Sequence, residues 1–518
     1  IIAAATIFSI CDFDKFQHPT AVELGDMKRT LVFALLLFGG GLALVSSIPS
    51  YMEKPLRGLN KFLLSFGIPG LICVGQSRIK NVRPLRSLGK LRNLLKKKKA
   101  TQEEWAEESN MNPCLVSTEY AVRGPILDRA MELGEQLENG VVLPFEEIIS
   151  CNIGNPQALN QKPLSFVRDV LSLIINPRLI NDCRWKYDKD VLAWATDFLG
   201  STPSGAGAYS NSQGLPFVRD KVAAFISARD GHPADPSKIF LTNGASEGVR
   251  YIMQGLLRPP SSGFKDGILV PIPQYPLYSA MSTLLEGNLV PYYLDESKDW
   301  GLSADSLRQA VDDARARGIS MRALVVINPG NPTGQCLSEE NMREVAAFCA
   351  ERRLVLCADE VYQENVWTEG NPFTSFKRVV RDMGFEEEEG ERRFQLISFH
   401  STSKGFIGEC GLRGGYFEMF GFAPEVRAQL YKLASVSLCS NTLGQVAVGL
   451  MVDPPTLKGR TRDRYEAEKA AILQSMKKRS VKLVEALNRL EGVTCNLSQG
   501  AMYAFPQITV PAKAAKAA

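Results

Sequence analysis

From residue 109 onward the chain settles into a repeating pattern. Short apolar, often β-branched runs alternate with longer stretches whose apolar positions recur at helical spacing. That alternation predicts βαβ units and a mostly parallel sheet, an α/β fold. Five strands are expected: KIFLT (238–242), GILVPI (267–272), ALVVIN (323–328), LVLCA (354–358) and FQLISF (394–399). Each is short and nearly all apolar, as a strand covered on both faces should be. The N-terminal part breaks the pattern. An apolar run, LVFALLLFGGGLALV (31–45), follows Met27-Lys28-Arg29, and a basic stretch, RIKNVRPLRSLGKLRNLLKKKK, fills 78–99.

The residues just beyond each strand carry more information than the strands. The five runs lead in turn into NGASEGV, PQYPLY, PGNPTGQ, DEVY and HSTSKG. Ligands of open α/β sheets bind at the carboxyl ends of the strands. A phosphate-friendly turn, an aromatic ring, an amide, a carboxylate and a lysine are therefore expected along one edge. Taken singly, each has an ordinary explanation. Lys404 can be a surface lysine, Ser246 a turn residue near a helix start, Asp359 a helix cap or arginine partner, Asn331 a turn former and Tyr275 a core ring. Together they describe a site.

Composition narrows the chemistry. Hydrophobic residues make up 45% and charged residues 22%, which suits a soluble enzyme, and 518 residues leave room for two to four domains. The net charge of +4 is unevenly spread: thirteen Lys and Arg, and no acid, lie between Glu53 and Glu103, so the remainder is near −9. An acidic body of this kind argues against nucleic-acid binding. The eleven cysteines form no C-x-x-C and read as free thiols. With only His18, His232 and His400, a histidine triad or metal centre has little to draw on, and a general base is expected among Lys, Asp, Glu or Tyr. No metal is expected.

A basic start before an apolar run is signal-like, whereas the Arg-rich, acid-free stretch is transit-like. A removed targeting segment is the expectation for 31–45, with a retained anchor touching a membrane, or untranslated sequence read as protein, as the alternatives. The features point to an organellar, mitochondrion-like address or a cytoplasmic one. Residues 1–108 are set aside as an N-terminal extension.

In the remainder, Lys404 sits in STSKG, with Arg413 nine residues on. A covalent lysine needs a depressed pKa or a cationic neighbour, and Arg413 can supply the second. Hydroxyls and a guanidinium near one lysine also make an anion site, with phosphate the natural anion. Gly244-Ala245-Ser246 can add backbone N–H groups at a helix start. Asp359 at a strand end needs a partner, and a heterocyclic N–H⁺ would serve. Tyr362 can aim a phenol at the same ligand. There is no P-loop, and no G-x-G-x-x-G follows a strand. The ligand described is a planar hydroxylated pyridine bearing a phosphate and a carbonyl: pyridoxal 5′-phosphate.

Several stretches then carry a resemblance: EYAVRGPI (119–126), CNIGNPQALNQKPLSFVRDVL (151–171), GAYSNSQG (207–214), IPQYPLYSA (272–280), NPGNPTGQ (328–335), DEVYQENVW (359–367), SKGFIGECGLRGGY (403–416) and GAMYAFP (500–506). Over 109–505 the chain resembles the alanine aminotransferases, of the fold type I pyridoxal-phosphate superfamily. The resemblance implies a large cofactor-binding domain over 165–450 and a smaller α+β domain from 109–164 plus 451–518. It implies that Lys404 holds the cofactor covalently and later moves the proton. Asp359 would pair with the pyridine nitrogen, Asn331 and Tyr362 with the ring hydroxyl, and Tyr275 would stack on the ring. Ala245, Ser246, Ser401, Ser403 and Arg413 would gather the phosphate. Tyr209 would reach the phosphate in the neighbouring subunit, implying a homodimer. The implied reaction is ping-pong transamination: L-alanine and 2-oxoglutarate give pyruvate and L-glutamate, with Lys404, Asp359 and Tyr362 as the catalytic groups.

The match also has a departure. The family carries a further strand-and-helix region with an arginine that clamps the substrate α-carboxylate, whereas here no arginine follows Arg489. The expectation is an incomplete smaller domain, poor turnover of alanine and a tendency to aggregate. Two other readings stand beside the main one. The first is another enzyme of the same fold, an aromatic aminotransferase or carbon–sulfur lyase. The second is a catalytically silent, membrane-tethered protein.

Overall fold

The computed structural model describes residues 105–512, apart from 121, 123, 150–152, 388, 389, 391, 457 and 458. The runs at 31–45 and 78–99 lie outside the described residues. Among the described residues no helix is long and apolar enough to cross a membrane.

The core is a seven-stranded sheet. Its strands are β1 (Ile239–Asn243), β2 (Asp266–Ile272), β3 (Asn288–Tyr293), β4 (Ser320–Ile327), β5 (Val355–Asp359), β6 (Leu396–Ser401) and β7 (Gly414–Phe420). They lie in the order β1-β7-β6-β5-β4-β2-β3. β2 is parallel to β3 and β4, and the parallel pairing continues through β5 and β6. β7 alone runs antiparallel, to both β1 and β6. All five expected strands are present, with ends moved by a few residues. β3 and β7 are additional. β3 contains Pro291, tolerated because β3 is an edge strand. β7 opens with two glycines and contains Glu418, so its sequence does not read as an apolar run, yet all seven residues are buried.

Side chains alternate across the sheet, as the pleat requires. On β2, Ile268 and Val270 enter one core layer, and Leu269 the opposite one. On β5, Val355 and Cys357 share the first layer, and Leu356 and Ala358 the second. Complete burial of such side chains contributes about 1.5–3 kcal/mol each, which makes the sheet a stiff platform.

The helices that bear on the site are α1 (Ser165–Ile175), α2 (Pro216–Asp230), α3 (Ala245–Leu256), α4 (Phe376–Asp382), α5 (Thr442–Val452) and α6 (Arg460–Leu487). α2 begins with Pro216 and stops at Gly231, whose φ of 74° is left-handed. α5 is apolar nearly all round and buried on every side, and the Asn441 side chain caps it by accepting the Gly444 N–H at 2.6 Å. Val493–Thr494 (β8) and Gln507–Ile508 (β9) form a small antiparallel pair after α6.

Candidate functional site

The carboxyl ends of β1, β4, β5 and β6 open into a cavity of about 640 Å³. Ala245 and Ser246 reach it from the first turn of α3, which follows β1 directly. Tyr275 comes from the loop after β2, Asn331 from the loop after β4, and Asp359 from the last position of β5 with Tyr362 just beyond. Ser401, Ser403, Lys404 and Arg413 come from the end of β6 and the loop that leads to β7. Ten of the eleven residues singled out in the sequence therefore line one space. Tyr209 does not: it is 81% exposed on the surface of this chain.

Lys404 lines the cavity and is largely enclosed. Its Nζ donates to the Gly154 carbonyl at 2.9 Å. Burial holds its ammonium below the ordinary lysine range, and Arg413 adds a smaller push the same way against the pull of Cys410 and Asp359. The sequence offered Arg413 as a cationic neighbour; desolvation is the larger influence because the lysine is closed in from most sides. A Cβ on Gly154 would lie 3.2 Å from Nζ, a tight contact that the lysine end would have to yield to.

Asp359 is 6% exposed. Its Oδ2 accepts the Tyr278 hydroxyl at 2.8 Å, while Oδ1 is buried without a partner. Burial pushes the carboxyl up to about 6, against the opposing bond from Tyr278. A buried carboxylate with one empty oxygen fits a ligand that brings a charged N–H donor.

Three aromatic hydroxyl contacts shape the walls. Tyr120 and Tyr275 join at 2.8 Å, Tyr362 and Tyr503 at 2.7 Å, and Tyr278 holds Asp359. The Tyr275 and Tyr362 phenols are pushed well above their ordinary range, mainly by burial. Both keep their protons at neutral pH.

The anion end is built from backbone as much as from side chains. Gly244, at φ 77°, turns β1 into α3 and lets Arg413 come close: a Cβ there would fall 2.3 Å from Arg413 Nη2. Arg413 also sits at a left-handed φ of 53°. Its guanidinium donates to the carbonyls of Asn243 (3.2 Å) and Cys410 (3.1 Å), and reaches Ser403 Oγ at 3.5 Å. Ser401 Oγ accepts the Ser403 N–H at 3.1 Å and so fixes that turn. The first turn of α3 adds the positive end of a twelve-residue helix. Among the described residues there is no cluster of metal-ligating side chains.

Several residues of the site carry no role in the sequence reading, although they lie inside its motifs. They are Tyr120, Gly154, Tyr278, Cys410 and Tyr503. Cys410 donates to the Ser403 carbonyl at 3.1 Å, beside Lys404. Tyr278 follows Tyr275 by three residues and sits at the start of the helix Leu277–Leu284, where an aromatic residue reads as core.

Residues 181–517 match the family described as Aminotransferase class I and II. The chain belongs to this family. A probable mitochondrial alanine aminotransferase of Dictyostelium discoideum is 52% identical over 406 residues, 77% of this chain and 74% of that one. Glutamate–glyoxylate aminotransferase 2 of Arabidopsis thaliana is 49% identical over 411 residues, 79% of this chain and 82% of its own. Among solved structures, an Escherichia coli aminotransferase aligns with a TM-score of 0.58 at 25% identity, covering 79% of this chain and 83% of that one. The chain is thus a fold type I, pyridoxal-phosphate-dependent aminotransferase, on an α/β sheet of the family's kind. The orphan oxygen of Asp359, the enclosed amine of Lys404 and the cradle around Arg413 all fit pyridoxal phosphate.

Proposed function

We propose that this aminotransferase moves the amino group of L-alanine to 2-oxoglutarate, giving pyruvate and L-glutamate. The observation that carries this reading is the shared cavity, where an enclosed lysine, a half-satisfied buried carboxylate and an arginine cradle meet. The 52% identity to a relative named as an alanine aminotransferase supports the choice of donor.

Lys404 would hold pyridoxal phosphate through its carbonyl carbon, and Asp359 Oδ1 would accept from the pyridine N–H. Asn331 and Tyr362 would bond the ring hydroxyl, and Tyr275 would stack on the ring. Ala245, Ser246, Ser401, Ser403 and Arg413 would hold the phosphate. When bound, the cofactor supplies an electron sink for the bond pair left at the substrate Cα. Lys404 Nζ, as a free amine, would take the Cα proton of the substrate; its burial favours the neutral form that this needs. Asp359 keeps a proton on the ring nitrogen, because a cationic partner relieves the penalty of its own burial. Tyr362 and Tyr275 stay protonated and donate.

Tyr209, exposed on this chain, is the residue we assign to the phosphate of a second copy, which makes the working unit a homodimer. The address we propose is organellar or cytoplasmic; the relative from Dictyostelium is named as mitochondrial.

A second reading comes from the 49% identity to a glutamate–glyoxylate aminotransferase: glyoxylate as acceptor. Half-reactions of the cofactor-loaded protein separate the two. Alanine should discharge the cofactor faster than phenylalanine, and 2-oxoglutarate should restore it faster than glyoxylate. A preference for glyoxylate would transfer the assignment to the second reading. A preference for phenylalanine would overturn both.

A further inference from the structure

The segment after β5 faces two ways. Asp359 and Tyr362 line the cofactor cavity. Glu360 and Gln363, between and beside them, enter a separate buried polar cluster. There, Arg229 at the end of α2 donates to both oxygens of Asp230 at 2.7 Å and to Gln363 Oε1 at 3.0 Å. Lys377 of α4 and Glu418 of β7 form a second ion pair, almost fully buried. Each of these cations already has its own carboxylate.

Glu360 is a third carboxyl in the same place, 1% exposed, with no cation of its own. Its Oε1 accepts the Phe376 N–H at 2.7 Å, but its Oε2 is buried without a partner. Unpartnered atoms also occur on the neighbouring strands at His400 Nδ1, Tyr416 hydroxyl and Ser398 Oγ. His400 and Tyr416 stand opposite each other in the β6–β7 register, with ring centroids 5.6 Å apart. An ionised Glu360 would leave a bare carboxylate oxygen in a cluster whose positive charge is spent. A neutral acid removes that bare charge from the cluster.

The backbone ties the two faces together. Glu360 N–H donates to the Phe399 carbonyl at 3.2 Å. The Gln363 N–H and its side-chain amide both donate to the Glu360 carbonyl at 3.2 Å. A shift at Glu360 therefore moves Asp359 on one side and the Tyr362 turn on the other.

We propose that Glu360 is a positioning residue that works as the neutral acid, anchoring the 359–363 turn to the buried Arg229–Lys377 cluster so that Asp359 and Tyr362 keep their aim at the cofactor. This rests on the reading that those two residues hold pyridoxal phosphate. Burial pushes the Glu360 carboxyl up to about 8, with Arg229 opposing and Asp230 and Glu418 reinforcing the rise. Burial holds His400 down at about 3, so it stays neutral, and raises the Tyr416 phenol, so it keeps its proton. Arg229, Asp230 and Glu418 are the charges that act on Glu360, and Lys377 is paired to Glu418.

The test is the affinity of the cofactor-free protein for pyridoxal phosphate, read from the absorbance of the bound cofactor between about pH 6.5 and about 9.5. The unsubstituted protein should bind more weakly above pH about 8, as Glu360 loses its proton. Glu360→Gln should match it near neutral pH and lack that additional weakening. Glu360→Leu should lose about tenfold or more at every pH while still melting cooperatively. A Gln variant as poor as Leu, a Gln variant with the unsubstituted protein's alkaline weakening, or a Leu variant that binds normally would each overturn the proposal. If the Leu variant does not fold, the comparison between Gln and the unsubstituted protein decides alone. Failure of the unsubstituted protein to bind the cofactor is a different result, and it would overturn the parent reading instead.

Discussion

The residues that give this site away each break a local rule. Asp359 puts a carboxylate at the end of an apolar strand, Lys404 puts an amine among small side chains, and Arg413 comes at short range after it. Such violations are conspicuous in a sequence because packing gives no reason for them. Tyr120, Tyr278 and Tyr503 break no rule; an aromatic residue in an apolar context reads as core until the fold brings its hydroxyl to a partner. Asp359 also carries a stability cost. Burial lifts it from an ordinary 3.8 to about 6, so the folded protein holds this proton more tightly than the unfolded chain. The stability this contributes is complete below pH about 4 and is lost as pH rises through about 6, a loss of about 3 kcal/mol. Asp359→Asn is therefore expected to stabilise the cofactor-free protein at neutral pH by up to about that amount and to flatten its dependence on pH over the same window. The same change should lower turnover of the loaded enzyme by about a hundredfold or more. Urea denaturation at a series of pH values, with rates measured alongside, checks both. An unchanged slope with pH would remove Asp359 as the source of the cost.

At the scale of elements, strands buried on both faces were legible because they are continuous apolar runs. β3 and β7 were not, since an edge proline and a pair of glycines interrupt the pattern. The glycines of β7 have a structural reason. Gly415 lies opposite Thr242 on β1, and a Cβ there would meet the Ala245 nitrogen at 2.7 Å, crowding the start of α3. Gly244 serves the same junction from the other side. Gly244→Ala is expected to displace the Arg413 guanidinium, add about 1–3 kcal/mol of strain at its left-handed φ and weaken binding of pyridoxal phosphate by about tenfold or more. Cofactor titration and a thermal melt of the same sample read the two effects. Wild-type affinity would mean that Arg413 can hold the phosphate from another position.

At the scale of the whole molecule, the sheet edge, the cavity and the family were legible from 109 onward, because five strand ends deliver compatible chemistry in one order. An interface with a second copy leaves no comparable mark. Tyr209 shows why: within one chain it is simply an exposed tyrosine. If it serves the site of a second copy, Tyr209→Phe should weaken cofactor binding several-fold in the assembled protein while leaving the melt of the cofactor-free protein unchanged. Affinity should also fall on dilution below the point at which the assembly dissociates, which sedimentation can track. Affinity that does not depend on protein concentration would place every phosphate contact within one chain. The claim beneath all of these is that Lys404 carries the cofactor. Its direct measurement is to load the protein with pyridoxal phosphate, reduce with borohydride, digest, and find the modified peptide by mass. One phosphopyridoxyl group on Lys404, absent in Lys404→Ala, is the predicted result; a label on another lysine, or none, would contradict it.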